Sequence, residues 1–314
     1  MRFSGILVGL LFVLFGNTVY AGEVPSPVNQ EKGPIEAVAC GVYLAGGNPA
    51  PAPEDIGQAK VDNWKKLYET ADALRKEGKL ACALETSTKA LETARQDFGD
   101  VHLNAALAYA LQARIYAGLR QYTKAEKLFG QAETILMKAF AIKGLDPMAL
   151  NRESIKYPGV TNISIHRAEM YIIRAMFREA ELQLKWVMEA LEVHGNPYSV
   201  EMAEALYLFA EMHRTQKTFE KADQYYKRAM HIMENAFGRA HIDYVKTLIG
   251  IAANYHTQKE YKESEMYYRK ALAIIDEIKG PACKEARLIR ANLERVYEEQ
   301  GLHYDAIRLK TAEE

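Results

Sequence analysis

Eight histidines, three cysteines and 41 carboxylates are the side chains of this chain that could bind a metal, attack a substrate or carry a proton. A metal centre needs His, Cys or carboxylate ligands that converge, as in HExxH or a paired CxxC. Neither pattern occurs. A phosphate-cradling glycine loop and a GxSxG nucleophile elbow are also missing. Acidic residues interleaved with Lys and Arg at helical spacing form solvated faces and i, i+4 partners. His256 is placed to line a groove, but no convergent ligands accompany it. The residues therefore predict no catalytic set, no metal and no cofactor, and the protein is expected not to be an enzyme.

The elements that carry these residues are announced by an internal repeat. From Leu206 the chain reads LYLFAEMHRTQKTFEKADQYYKRAM, and 42 residues later, from Leu248, it reads LIGIAANYHTQKEYKESEMYYRKAL. Apolar or small residues fall at places four, seven, eight and eleven, then at twenty, twenty-four, twenty-seven and twenty-eight. That is helix spacing on one face of each of two helices. Each unit is a helical hairpin that cannot bury its own apolar face, so copies must stack. The expected fold is all-α, a right-handed α-solenoid of stacked hairpins.

Aligning on place eight sets Ala71, Ala113, Ala168, Ala210 and Ala252 in register, with Glu294 in a degenerate sixth copy. Place twenty holds Ala83, Ala125, Ala180, Ala222, Ser264 and Ala306. Small side chains at both places let the two helices approach closely. Larger residues fill the flanks: Leu74, Tyr116, Tyr171, His213, Tyr255 and Tyr297 at place eleven, and Leu80, Tyr122, Phe177, Phe219 and Tyr261 at place seventeen. This pattern resembles the tetratricopeptide repeat, whose motif also has Gly near place fifteen; here only Gly78 and Gly301 match it. The 42-residue period looks like the long repeat of the kinesin light chain, each helix gaining about a turn over the 34-residue form.

In the long repeat a glycine ends the second helix, and Gly99, Gly195, Gly238 and Gly280 stand there, where a left-handed C-cap suits glycine. A His in the following loop is matched by His102 and His241, with Cys283 in that place in another copy. The copies span about residues 62–102, 104–144, 160–198, 202–240, 244–282 and 286–314, making an array over 61–314 with an insertion at about 144–159. That insertion is either a partner-facing loop or a tolerated exposed turn.

Residues 1–21 read as a secretory signal: Arg2, an apolar run from Ile6 to Phe15, and Val19-Tyr20-Ala21 at the cleavage site. The protein is thus expected to be exported, periplasmic or secreted; the alternative is an anchor retained through Phe3 to Tyr20, the sole route to a membrane. Residues 22–60 hold six prolines and form a tether. Two readings of the cysteines stand: all three reduced, or Cys40 paired with Cys82, which the tether can reach. Lys plus Arg total 40 against 41 Asp plus Glu, so no net field exists to hold a nucleic-acid backbone.

The resemblance implies where a partner docks. Tetratricopeptide proteins line a groove with places two, five, six and nine of the first helices. Here the candidates are Tyr68, Asp72, Leu111, Arg114, His166, Glu169, Tyr207, Glu211, Ile249, Asn292 and Arg295. The carboxylate clamp of the chaperone-binding members is absent. An amphipathic helix or an extended segment with apolar anchors fits the mixed surface better. The expected function is a non-enzymatic scaffold for a protein or peptide partner; the alternative is a helical component of a peptidoglycan hydrolase system. A competing reading of the apolar places, Leu111, Ile165 and Leu208, packs them between hairpins.

Overall fold

The computed structural model describes residues 56–142, 160–193 and 195–302. The signal, most of the tether with Cys40, the 144–159 insertion and residues 303–314 lie outside the described residues. Among those described there are eleven α-helices and no strand. They are α1 (Ile56–Lys76), α2 (Leu80–Phe98), α3 (Leu103–Gly118), α4 (Tyr122–Ile142), α5 (Val160–Ile173), α6 (Phe177–Val193), α7 (Val200–Thr215), α8 (Phe219–Phe237), α9 (Ile242–Thr257), α10 (Tyr261–Lys279) and α11 (Lys284–Glu299). Odd-numbered helices are the first of each hairpin. None of the described helices is long and apolar enough to cross a membrane.

The chain divides into two compact units, the boundary falling within α5 after Met170. In unit one, α1 packs on α2, α2 on α3 and α3 on α4, and α1 also reaches α3. In unit two the same order runs from α6 to α11, with α7 reaching α9. Within each unit successive first helices therefore share a side, the stacking that defines an α-solenoid.

Small residues hold the hairpins closed. Every residue at places eight and twenty in the first five copies is fully buried. In copy five the approach is visible as a bond, Ser264 Oγ donating to the Ala252 carbonyl at 2.9 Å. Copies are tied to one another by place eleven: the Tyr255 hydroxyl donates to Asp223 at 3.2 Å and the Tyr297 hydroxyl to Glu265 at 2.8 Å. His213, where most copies carry a tyrosine, instead packs its ring against Phe209 and Tyr225.

Place fifteen is left-handed throughout the array, whether or not it is glycine. Gly78 and Gly301 adopt positive φ, and so do Arg120, Ala175, Lys217 and Lys259, with φ between 56° and 65°. A side chain in this region costs about 1–2 kcal/mol. Lys259→Gly is therefore expected to stabilise the fold by up to about 1 kcal/mol after the entropy glycine adds to the unfolded chain. A raised denaturation midpoint at unchanged slope is the check.

The glycines that end α2, α8 and α10 are not in the left-handed helical region expected of a C-cap. Gly99, Gly238 and Gly280 have φ of 95°, 77° and 83° with ψ of 163°, 178° and 159°. That extended mirror-image region is open essentially to glycine alone. It reverses the chain directly into the next first helix.

The residues after these turns are N-caps. His102 Nδ1 accepts from the Asn104 amide at 3.1 Å and His241 Nδ1 from that of Asp243 at 3.2 Å. Ser199 and Cys283 accept from Met202 and Ala286 at 3.2 and 3.3 Å. Each cap satisfies an amide that the first turn leaves open. His102 and His241 also stack on Phe98 and Phe237, the last residues of the preceding helices. Cys82 is disulfide-bonded, so the reading with three reduced cysteines does not hold, and Cys283 is a free thiol.

Candidate partner-binding face

In unit one the candidate residues converge on Asp72. Its carboxylate lies 2.9 Å from Arg75 Nε, 2.9 Å from Lys76 Nζ and 3.2 Å from Arg114 Nη1. Arg75 is on the same helix, three residues on, whereas Arg114 comes from place nine of the next first helix. Burial opposes ionisation of Asp72, but Arg114, Arg75 and Lys76 outweigh it and hold its carboxyl well below the usual carboxylate range. A depressed folded-state pKa contributes stability that is present above the unfolded value and is lost as pH falls. The wild type should thus lose stability below about pH 4 more steeply than Asp72→Asn. Urea titrations at several pH values read this as a flatter acid limb in the variant.

The other unit-one candidates lie on α1, α3 and α5. Tyr68 is half-buried beside Asp72, and burial raises its phenol while Arg114 pulls the other way. Leu111 is fully buried in a cluster with Ala71, Ala83 and Ile115, so it offers no surface to a ligand. His166 and Glu169 are half-buried on α5. Between them Arg167 clasps Glu126 and Glu133 of α4, the latter at 2.7 Å, and fastens α5 to the hairpin before it.

Unit two has a second charged centre, deeper than the first. Arg214 Nη2 donates to Glu211 Oε2 at 2.7 Å, and the Tyr226 hydroxyl donates to Glu211 Oε1 at 2.5 Å. Arg214 keeps 2% exposure and Glu211 3%. Burial pushes the Tyr226 phenol well up, reinforced by Glu211, so it remains a donor. The Tyr226 ring passes between two first helices, edge-on to Tyr207 with centroids 5.7 Å apart. It occupies the space beside Gly250, where an added Cβ would stand 2.6 Å from Tyr226 Cε1.

The remaining unit-two candidates differ in access. Tyr207 and Ile249 are buried, and Lys246 sits 4.3 Å over the Tyr207 ring as a cation–π partner. Asn292 is half-buried and Arg295 exposed on α11. Leu208, and Ile165 of unit one, are buried as well. The His256 Nε2 atom lies 3.2 Å from Glu299 Oε2. Among the described residues no group of three His, Cys, Asp or Glu is placed to hold a metal ion.

The two centres share a pattern not used in the sequence reading: Tyr68-Asp72-Arg75 and Tyr207-Glu211-Arg214 have one spacing at the same places of copies one and four. Tyr-x3-acid-x2-Arg was the signal that could have found them. Exposed apolar residues also occur elsewhere, on α6, where Leu182, Trp186 and Val193 keep 62%, 39% and 65% of their surface.

Hairpins closed by buried small residues, capped first helices and a polar centre on the first helices of each unit define a helical-repeat scaffold. Residues 66–138 and 201–277 match the tetratricopeptide-repeat family. Among solved structures it is similar to BtubC (BKLC) from P. vanneervenii, at 15% identity over 82% of this chain and 92% of that one, with a TM-score of 0.56. A Podosopora anserina putative kinesin light chain with nearly identical TPR-like repeats shares 14% identity, covering 69% of this chain and 97% of that one, with a TM-score of 0.48. At such identities the likeness to the first of these concerns the fold. The comparison with curated proteins returns no match.

Proposed function

We infer that the protein is a non-enzymatic scaffold that holds a protein or peptide partner against the shared side of its first helices, and that it works after export. The observation that carries this reading is the pair of charged centres borne by those helices, half-buried around Asp72 in unit one and buried around Glu211 in unit two. They fix the first helices in place, while on unit two Arg295 stays exposed and Lys246 and Asn292 half-buried. A rigid support under accessible polar residues lowers the ordering cost of binding. Export rests on the Met1 to Ala21 pattern.

The test is capture of the native partner by the full chain and by a Lys246→Glu, Arg295→Glu variant whose helical circular dichroism matches the wild type. Loss of capture is expected. Retained capture that disappears instead on Trp186→Ser would move the docking surface to α6, which the exposure of Leu182, Trp186 and Val193 favours.

A further inference from the structure

Place nine forms a row along successive first helices. In unit one the row holds Asp72 and Arg114, bonded across copies at 3.2 Å. In unit two it reads Glu211, Ala253 and Arg295. Glu211 is satisfied on both oxygens, by Arg214 and by the Tyr226 hydroxyl. Copy five repeats the tyrosine: Tyr268 stands at the place of Tyr226 and is equally buried. It does not repeat the acceptor, because Ala253 stands where copy four has Glu211. The Tyr268 hydroxyl accordingly has no hydrogen-bond partner among the described residues. Leaving a buried donor unmade is costly, so the site is short of one acceptor.

Arg295 comes next in the row. It is exposed and makes no hydrogen bond or ion pair among the described residues. The Asp72 to Arg114 bond shows that place nine of one copy reaches place nine of the next. A carboxylate over Ala253 would therefore meet Arg295 as Asp72 meets Arg114, and the Tyr268 hydroxyl as Glu211 meets that of Tyr226. Ala253 supplies only a methyl group at this place and keeps 8% exposure.

We propose that the notch over Ala253 binds a carboxylate side chain of the partner, with the Tyr268 hydroxyl and the Arg295 guanidinium as its donors. The assignment deepens the scaffold reading and rests on it. Glu211, the nearby negative charge, is matched by Arg214 and does not oppose the ligand as an unpaired charge. Burial raises the Tyr268 phenol, Arg214 and Arg295 pull the other way and Glu211 reinforces the rise, so the hydroxyl keeps its proton at neutral pH. A side chain is assigned because copy four fills the equivalent position with a glutamate reaching from a helix.

The experiment is a binding titration of the full chain with an acetylated, amidated apolar peptide bearing one central glutamate. Its glutamine counterpart and a counterpart with a free carboxyl terminus as its one charge complete the set. The glutamate peptide should bind about tenfold tighter than the glutamine peptide. The preference should vanish in Tyr268→Phe and in Ala253→Glu, and Ala253→Glu should raise the unfolding midpoint by supplying the acceptor from within. Equal affinities, no binding of either peptide, or a preference that survives Ala253→Glu would overturn the proposal. Tighter binding of the free-terminus peptide would overturn the side-chain assignment. None of these touches the scaffold reading, which stands or falls on partner capture by the Lys246→Glu, Arg295→Glu variant.

Discussion

Glu211→Gln lowers the stability of the second unit by about 3–5 kcal/mol, the expected cost of leaving a buried charge without its counter-ion. Arg214 is the charge in question: it is 2% exposed, and Glu211 is its ion-pair partner. Glutamine can still accept one of the two bonds, but it removes the negative charge that offsets the desolvation of the guanidinium. Helix α7 would have to shift to let water reach Arg214, loosening Tyr207 and the Tyr226 ring with it. The control is Glu85→Gln, which breaks an exposed i, i+4 pair with Lys89 and should leave the midpoint where it is. Urea denaturation of the full chain reads both; equal midpoints for Glu211→Gln and the wild type would mean that Arg214 is hydrated in solution.

Gly250→Leu should cost about 2–3 kcal/mol through overpacking, since the new Cβ alone would meet Tyr226 Cε1 at 2.6 Å and Tyr207 Cε2 at 3.1 Å. The ring cannot retreat, being fully buried and bonded to Glu211. Copies one and two show the alternative solution. There the second helix carries Ser87 at the place of Tyr226, and the next first helix carries Leu111 at the place of Gly250. Both residues are fully buried. Combining Gly250→Leu with Tyr226→Ser should therefore recover at least about 1 kcal/mol relative to the sum of the single changes. Strict additivity in the double-mutant cycle would show that the two places do not share one space.

Those same residues mark how far the sequence could be read. The small residues at places eight and twenty were legible because the first five copies all carry them for one reason, close approach within the hairpin. The turn at place fifteen was only half legible. Gly78 and Gly301 signalled it, but Arg120 and Lys217 adopt the same backbone because the flanking helices impose it. His102, His241 and Cys283 were recognised by position; that their side chains cap the next helix follows from acceptor geometry that spacing does not encode. The groove residues were the least legible. Leu111 and Ile249 look like anchors on a helical wheel, yet each packs inside its stack. Ser87 with Leu111, and Tyr226 with Gly250, balance volume between different places in neighbouring copies, which a comparison of one place at a time does not detect.

Site-specific photocrosslinking in the producing cells tests the docking surface most directly, with a photoreactive phenylalanine placed in turn at Lys246, Asn292, Leu182 and Val193. Adducts with the same partner from Lys246 and Asn292, and none from Leu182 or Val193, are the expected result. Adducts confined to Leu182 and Val193 would contradict a partner held on the first helices.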